Sequence, residues 1–295
     1  MVPPLDRRLQ TVRLGSGRGT PSGPTNRRVN TLPAVTTPPE PGLDPLASFR
    51  LDDRVAIVTG ASSGLGARFA RVLDAAGARV VITARRADRL GELAAELTDP
   101  LVVAADLMEP DAATRLVTAA VDHLGRVDVL VNNAGASDDI PALEVPIDRF
   151  REVVEVNLVA PFALAQATAR EMVASGRGGS IVNIASQYGV VGVNAGISAY
   201  AASKGGLVNL TRHLAVEWAR LGIRVNAIGP GYFPTEMTTD VFDGGVSEAW
   251  LRRTSPIGRG GAMHELDGAL LYLASDASSY TTGAILAVDG GWTAA

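Results

Sequence analysis

Tyr200 and Lys204 stand four residues apart, a spacing that puts both side chains on one face of a helix. A phenol of pKa about 10 is a poor proton shuttle at neutral pH. An ammonium a few ångströms away favours the phenolate and brings the group nearer a useful range. The pair is a candidate for moving a proton to and from a substrate oxygen, and Lys204 can also donate to ribose hydroxyls. Ser186 lies upstream, where its hydroxyl would hold the same oxygen. The lysine is singular: Lys and Arg total 27, and Lys204 is the only lysine among them. A chain that uses arginine everywhere else keeps a compact ammonium where a planar, permanently charged guanidinium would fail.

A second constellation points to a phosphate. Thr59-Gly60-Ala61-Ser62-Ser63-Gly64-Leu65-Gly66 follows an apolar run and precedes a helical pattern. Strand, glycine-rich turn and helix turn backbone N–H groups and a helix N-terminus toward a pyrophosphate. Gly60, Ser62, Ser63, Gly64, Leu65 and Gly66 are the expected contacts. About 20 residues further on, an acidic residue would hold an adenosine ribose 2′-hydroxyl. Here Arg85 and Arg86 follow Thr83 and Ala84, and no carboxylate is present. Guanidiniums suit a 2′-phosphate, so NADP(H) is expected ahead of NAD(H). Asp106 and Leu107 are placed to meet the adenine, although Asp106 would equally cap the next helix. Gly60-Ala61-Ser62-Ser63-Gly64 also matches a nucleophile elbow, which would make Ser62 a hydrolase nucleophile with a downstream acid and His264. Against it, the elbow would sit on the first strand, no oxyanion segment precedes it, and Gly66 goes unexplained.

These residues need a scaffold, and the apolar pattern supplies one. Continuous apolar runs occur at 55–58, 80–83, 101–105, 129–131, 181–184, 225–228 and 285–288. Helical segments lie between most of them, including 68–76, 112–124, 148–174 and 200–221. Runs apolar at every position imply strands buried on both faces, hence a parallel sheet with helices on each side. The expected fold is α/β: a single doubly wound Rossmann domain, 51–295, with a seven-stranded parallel sheet. Residues 1–50 hold nine of the 17 prolines and seven arginines against three acids, and read as a disordered extension.

Composition narrows the function. A net charge of −4 argues against nucleic acid as a partner. The absence of cysteine removes thiolate chemistry and disulfides. No apolar run approaches the ~20 residues that span a bilayer, so a cytoplasmic location and no membrane partner are expected. His123, His213 and His264 lack metal-ligand spacing, so chemistry without a metal is expected.

In order and spacing the chain resembles the short-chain dehydrogenase/reductase family over about residues 51–295. The resemblance rests on the 59–66 loop, Asn132-Asn133-Ala134-Gly135, Asn157, Ser186, Tyr200-x-x-x-Lys204, Pro230-Gly231 and Thr235. It implies an NAD(P)-dependent oxidoreductase interconverting a secondary alcohol and a ketone, with Tyr200 as general acid/base. It implies that Asn133, Ala134 and Gly135 steady the sheet and line the adenosine-ribose side. Asn157 would hold a water that relays protons to Lys204, and Pro230, Gly231 and Thr235 would hold the nicotinamide. It also implies a homotetramer or homodimer built on the long helices. Ser186 to Tyr200 is one residue longer than the commonest family spacing, which the loop at 192–196 can absorb. Acyl-carrier-protein reductases of the family carry an arginine sixteen residues after the tyrosine, where this chain has Val216.

The stretch 232–262 is expected to form a substrate lid, mixing Phe233, Met237, Phe242 and Trp250 with charged residues. Residues 229–237 are similar to gluconate 5-dehydrogenase-type members, which makes a sugar acid the first expected substrate. A 3-oxoacyl reductase and a broad carbonyl or glucose dehydrogenase are the alternatives. A nucleotide-sensing protein with a broken site is disfavoured by the intact Asn157, Ser186, Tyr200 and Lys204 set.

Overall fold

The computed structural model describes residues 44–239 and 247–295. Most of the expected N-terminal extension, residues 1–43, lies outside them, as do Asp240, Phe242 and Asp243 of the expected lid. Ala47–Phe49 forms a 3-10 turn within the stretch read as tail, and Leu51 is buried.

Seven strands form one parallel sheet: β1 (Val55–Thr59), β2 (Arg79–Ala84), β3 (Leu101–Ala104), β4 (Val129–Asn132), β5 (Gly179–Ile184), β6 (Ile223–Pro230) and β7 (Ile285–Val288). Their order is β3-β2-β1-β4-β5-β6-β7, and every pairing is parallel. β1, β4 and the apolar stretch of β5 and β6 are buried along their length, as expected of strands covered on both faces. Alternate strand residues feed two cores. Ala56, Val58, Val80, Ile82, Val131 and Val182 pack on one face, and Val55, Ile57, Val81, Leu130, Ile181 and Val225 on the other.

The helices are α1 (Gly64–Ala75), α2 (Ala87–Ala94), α3 (Ala112–Leu124), α4 (Ile147–Val154), α5 (Ala160–Ser175), α6 (Ser198–Trp218), α7 (Ser247–Thr254) and α8 (Asp267–Ala274). The winding reverses between β1 and β4, and that break opens the crevice where ligands of such sheets bind.

One expected element differs. The segment 148–174, read as one helix, is two helices joined by a π turn over Glu155–Val159. Pro161 has no N–H for the Asn157 carbonyl four residues back, and its ring crowds that carbonyl. The ladder shifts instead, the Ala160 N–H donating to Glu155 O five residues back. π turns of this kind concentrate at functional sites, and Asn157 sits in the middle of this one.

Candidate active site

The carboxyl ends of β1, β2, β4, β5 and β6 surround a cavity of about 600 Å³. Its floor at one end is the glycine-rich turn. Gly60 and Gly64 have φ of +65° and +51°, left-handed values that favour glycine. A Cβ on Gly66 would lie 2.2 Å from Gly60 O, so the turn closes only with glycine there. Asn133 locks the turn to β4: its Nδ2 donates to Thr59 O at 2.9 Å and Gly60 O at 3.3 Å. Thr59 Oγ1 in turn accepts from the Asn133 and Ala134 N–H groups at 2.9 Å each. No side chain caps the first turn of α1, which leaves its N–H groups directed at the cavity, a cradle suited to a pyrophosphate. The shape, the glycines and the uncapped helix fit a dinucleotide.

Of the expected cofactor contacts, Gly60, Ser62, Ser63, Gly64, Leu65, Arg85, Arg86, Asp106, Leu107, Asn133, Ala134, Gly135, Tyr200, Lys204, Pro230, Gly231 and Thr235 all line this cavity. Gly66 does not; it lies under the turn. Arg86 donates to Ser62 Oγ at 3.0 Å, to Ser63 Oγ at 2.8 Å and to Glu236 Oε2 at 3.0 Å. Ser63 Oγ also donates to Glu236 Oε2 at 2.9 Å. Asp106 accepts from Met108 N–H at 3.0 Å, a turn contact within its own loop. His264 lies on a separate 3-10 turn and is not among the residues lining the cavity, so Ser62 has no histidine at hand and the hydrolase reading loses its geometry.

At the other end stand Ser186, Tyr200 and Lys204. Ser186 follows β5 and begins a 3-10 turn, Gln187–Gly189, whose Tyr188 N–H donates to the Ser186 hydroxyl at 3.2 Å. Lys204 is 4% exposed; its Nζ donates to Ile184 O at 2.6 Å and lies 5.7 Å from the Tyr200 ring centre. Burial lowers the ammonium from 10.5 to about 8. Burial also raises the Tyr200 phenol, the Ser186 hydroxyl lowers it, and Tyr188 raises it further. Here the protein corrects the expectation that Lys204 would pull the phenol down. Burial opposes the charge of each group and is the largest cause of both shifts.

Asn157 is fully buried and does not line the cavity. Its Oδ1 accepts from Ala136 N–H at 2.8 Å, and its Nδ2 donates to Ala136 O at 2.8 Å and Ser203 Oγ at 2.9 Å. It therefore clamps the β4 loop to the helix bearing Tyr200 and Lys204. Asn132 and Asn183 extend this clamp, with Asn132 Nδ2 donating to Asn183 Oδ1 and Asn183 Nδ2 to Thr211 Oγ1, each at 2.9 Å.

Three features escaped the sequence reading. Asp138 is 1% exposed and accepts from the N–H groups of Ala199 at 3.1 Å and Tyr200 at 3.0 Å, capping α6. Glu236 ties the segment after β6 to Arg86. Tyr188 and Tyr232 join hydroxyls at 2.5 Å. No spacing announces these, since their partners are distant in sequence.

A family model of short-chain dehydrogenases, described as enoyl-(acyl carrier protein) reductase, matches residues 60–293. The chain belongs to the short-chain dehydrogenase/reductase family. It is an oxidoreductase of the CH–OH class that works with NAD(P). It is 44% identical to galactitol 2-dehydrogenase (L-tagatose-forming) of Cereibacter sphaeroides, over 83% of this chain and 97% of that one. Its fold is similar to a short-chain type dehydrogenase/reductase from Mycobacterium marinum, with 37% identity, a TM-score of 0.81, and coverage of 85% of this chain and 100% of that one. A gluconate 5-dehydrogenase from Burkholderia cenocepacia, solved with NADP and tartrate, gives 37% identity, a TM-score of 0.81 and the same coverage.

Proposed function

We propose that this oxidoreductase interconverts a secondary hydroxyl and a ketone on a sugar-derived polyol or sugar acid, using NADP(H) ahead of NAD(H). The observation that carries this reading is the convergence of Ser186, Tyr200 and Lys204 on the same cavity as the glycine-rich turn. Ser62, Ser63, Arg85 and Arg86 would hold the adenosine 2′-phosphate. Gly64, Leu65 and the N-terminus of α1 would hold the pyrophosphate, with Asn133, Ala134 and Gly135 along the ribose. Pro230, Gly231 and Thr235 would seat the nicotinamide, which when bound gives or accepts the hydride at the substrate carbon.

The chain's own residues manage the oxygen and its proton. Ser186 donates to the substrate oxygen and fixes its position. Tyr200 gives a proton to that oxygen during reduction and takes one during oxidation. Lys204 keeps one Nζ–H on Ile184 O and offers its other protons to ribose hydroxyls. Asn157 holds the loop and helix in register, and a water held at it would relay protons to Lys204. Segment 232–262, tied at its base by Gly261 N–H to Tyr232 O at 2.8 Å, is assigned as the substrate lid. Exposed Val159, Phe162 and Val173 on and before α5, and Val216 on α6, support a homo-oligomer paired through these helices. No described helix is long and apolar enough to cross a membrane, which supports a cytoplasmic assignment.

The test is turnover followed by nicotinamide absorbance. Tyr200→Phe should lower kcat by about 10²-fold or more while leaving NADPH affinity within a few-fold. A Tyr200→Phe protein with near-normal kcat would remove the tyrosine from the chemistry.

A further inference from the structure

The acid that an NAD-type site would carry after β2 is missing from the sequence, where Arg85 and Arg86 stand instead. The fold brings an acid to that place from 150 residues away. Glu236 begins the short turn after β6, Glu236–Thr238. Arg86 Nη1 donates to Glu236 Oε1 at 3.2 Å and Nη2 to Oε2 at 3.0 Å, so both carboxylate oxygens face the guanidinium fork. The same Nη2 donates to Ser62 Oγ at 3.0 Å and Ser63 Oγ at 2.8 Å, and Ser63 Oγ donates to Glu236 Oε2 at 2.9 Å. A guanidinium with a neighbouring hydroxyl is the donor set a phosphate takes. Ser62, Ser63, Arg86 and Glu236 all line the cavity that holds Ser186, Tyr200 and Lys204. The Glu236 carboxylate thus occupies donors assigned above to the adenosine 2′-phosphate.

We propose that Glu236 is a built-in stand-in for the 2′-phosphate, one that must leave Arg86 and Ser63 when NADP(H) binds and can stay when NAD(H) binds. The inference rests on the assignment of Arg86 and Ser63 to that phosphate. It makes Glu236 a specificity-determining residue that works against the arginines and moderates the preference for NADP(H). Three observations support it. The first is charge: Arg86 and then Ser63 hold the Glu236 carboxyl below its usual range, so it is an anion at neutral pH. A phosphate monoester carries up to about two negative charges, and beside an unmoved carboxylate it would be repelled. The second is reversibility. The Arg86 and Glu236 side chains are 44% and 61% exposed, and an exposed ion pair is worth at most about fivefold in an equilibrium constant. A more highly charged phosphate can therefore take its place. The third is freedom to move. The turn is held without the carboxylate, by Thr238 N–H on Thr235 O at 3.0 Å and Thr235 N–H on Thr238 Oγ1 at 2.9 Å, so the side chain can swing off while its backbone stays. An NAD(H) ribose presents only a neutral 2′-hydroxyl, whose proton a carboxylate accepts.

The experiment measures binding of adenosine 2′,5′-bisphosphate and adenosine 5′-monophosphate to the full chain by titration calorimetry. Neither nucleotide carries a nicotinamide, so their ratio isolates the 2′ position from turnover. Glu236→Gln and Glu236→Ala should each raise the affinity ratio of bisphosphate over monophosphate by about threefold or more. The alanine variant is needed because a glutamine amide could itself donate to phosphate. A rise below threefold in either variant would overturn the inference. The cofactor assignment would still stand if Arg86→Ala lowers the same ratio. Wild-type protein that binds neither nucleotide, or a ratio that Arg86→Ala leaves unchanged, would bring down the cofactor assignment itself and the inference with it.

Discussion

Replacing Lys204 by methionine should abolish turnover and yet stabilise the protein. The reason is the burial of the ammonium, which lowers its pKa from 10.5 to about 8. At about 1.4 kcal/mol per pH unit, that difference of 2.5 corresponds to about 3 kcal/mol of folding free energy at pH 7. The unfolded chain holds the lysine proton up to pH about 10.5, whereas the folded chain releases it near 8. Unfolding therefore takes up a proton between these values, and stability rises with pH through that window. Methionine fills a similar volume and carries no charge, but it leaves the Ile184 carbonyl without its donor, a loss of about 1 kcal/mol or more. The net gain expected at neutral pH is thus about 2 kcal/mol. Urea unfolding of wild type and Lys204→Met, at intervals from pH 6 to 10, isolates the lysine because every other group titrates in both. The advantage of the variant should be constant below pH about 7 and shrink by about 2 to 3 kcal/mol by pH 10. A difference that stays flat with pH would refute the claim that the buried ammonium is strained.

Two further outcomes follow from the same geometry. Arg86→Ala removes the guanidinium that gathers Ser62, Ser63 and Glu236; it should lower the NADPH-to-NADH ratio of kcat/KM about tenfold or more, the worth of a charge-assisted bond to phosphate, and an unchanged ratio would relocate 2′-phosphate recognition. Asp138→Ala uncaps the helix that carries Tyr200 and Lys204; it should cost about 1–2 kcal/mol in urea unfolding and lower kcat, with Asp138→Asn recovering part of both, whereas a variant equal to wild type in both measurements would make the cap incidental.

The central strands were legible because burial on both faces writes itself as uninterrupted apolar runs, as in β1 and β4; the edge strands β3 and β7 lie where their runs do but are only partly buried. The residues that follow strands at the carboxyl edge were legible for the same reason: once the strands are placed, Ser186, Pro230 and the 59–66 turn must share one edge. What was not legible depends on meetings across the chain. Asp138 reads as one of two adjacent acids in a loop, and only the folded chain shows its carboxylate against the first N–H groups of α6. Tyr188 and Tyr232 are 44 residues apart, and neither sits in a periodic pattern. The break at Glu155–Val159 left one trace, Pro161, whose missing N–H forbids a regular helix across Asn157. The electrostatic expectation erred for a different reason. Spacing says that an ammonium is near a phenol, but only burial says how far desolvation opposes them both.

That burial also explains why a chain so committed to arginine keeps one lysine. Among the described residues the other cations are mostly at the surface or paired, as Arg71 is with Glu96 at 2.8 Å and Arg259 with Glu265 at 2.7 Å. At such sites either cation serves, and a guanidinium gains a bidentate partner. Among the described residues position 204 meets no carboxylate; Nζ donates to the Ile184 carbonyl at 2.6 Å and lies by the ring of Tyr200. A guanidinium does not deprotonate, so it would carry its full desolvation cost there at every pH. A lysine can have its pKa lowered by burial, as Lys204 has to about 8, which limits that cost. The arginine variant therefore retains the charge at every pH, and its planar fork does not reproduce one Nζ donating to one carbonyl. Position 204 thus favours a compact cation whose charge can be relieved by burial, which lysine supplies and a permanently charged guanidinium does not.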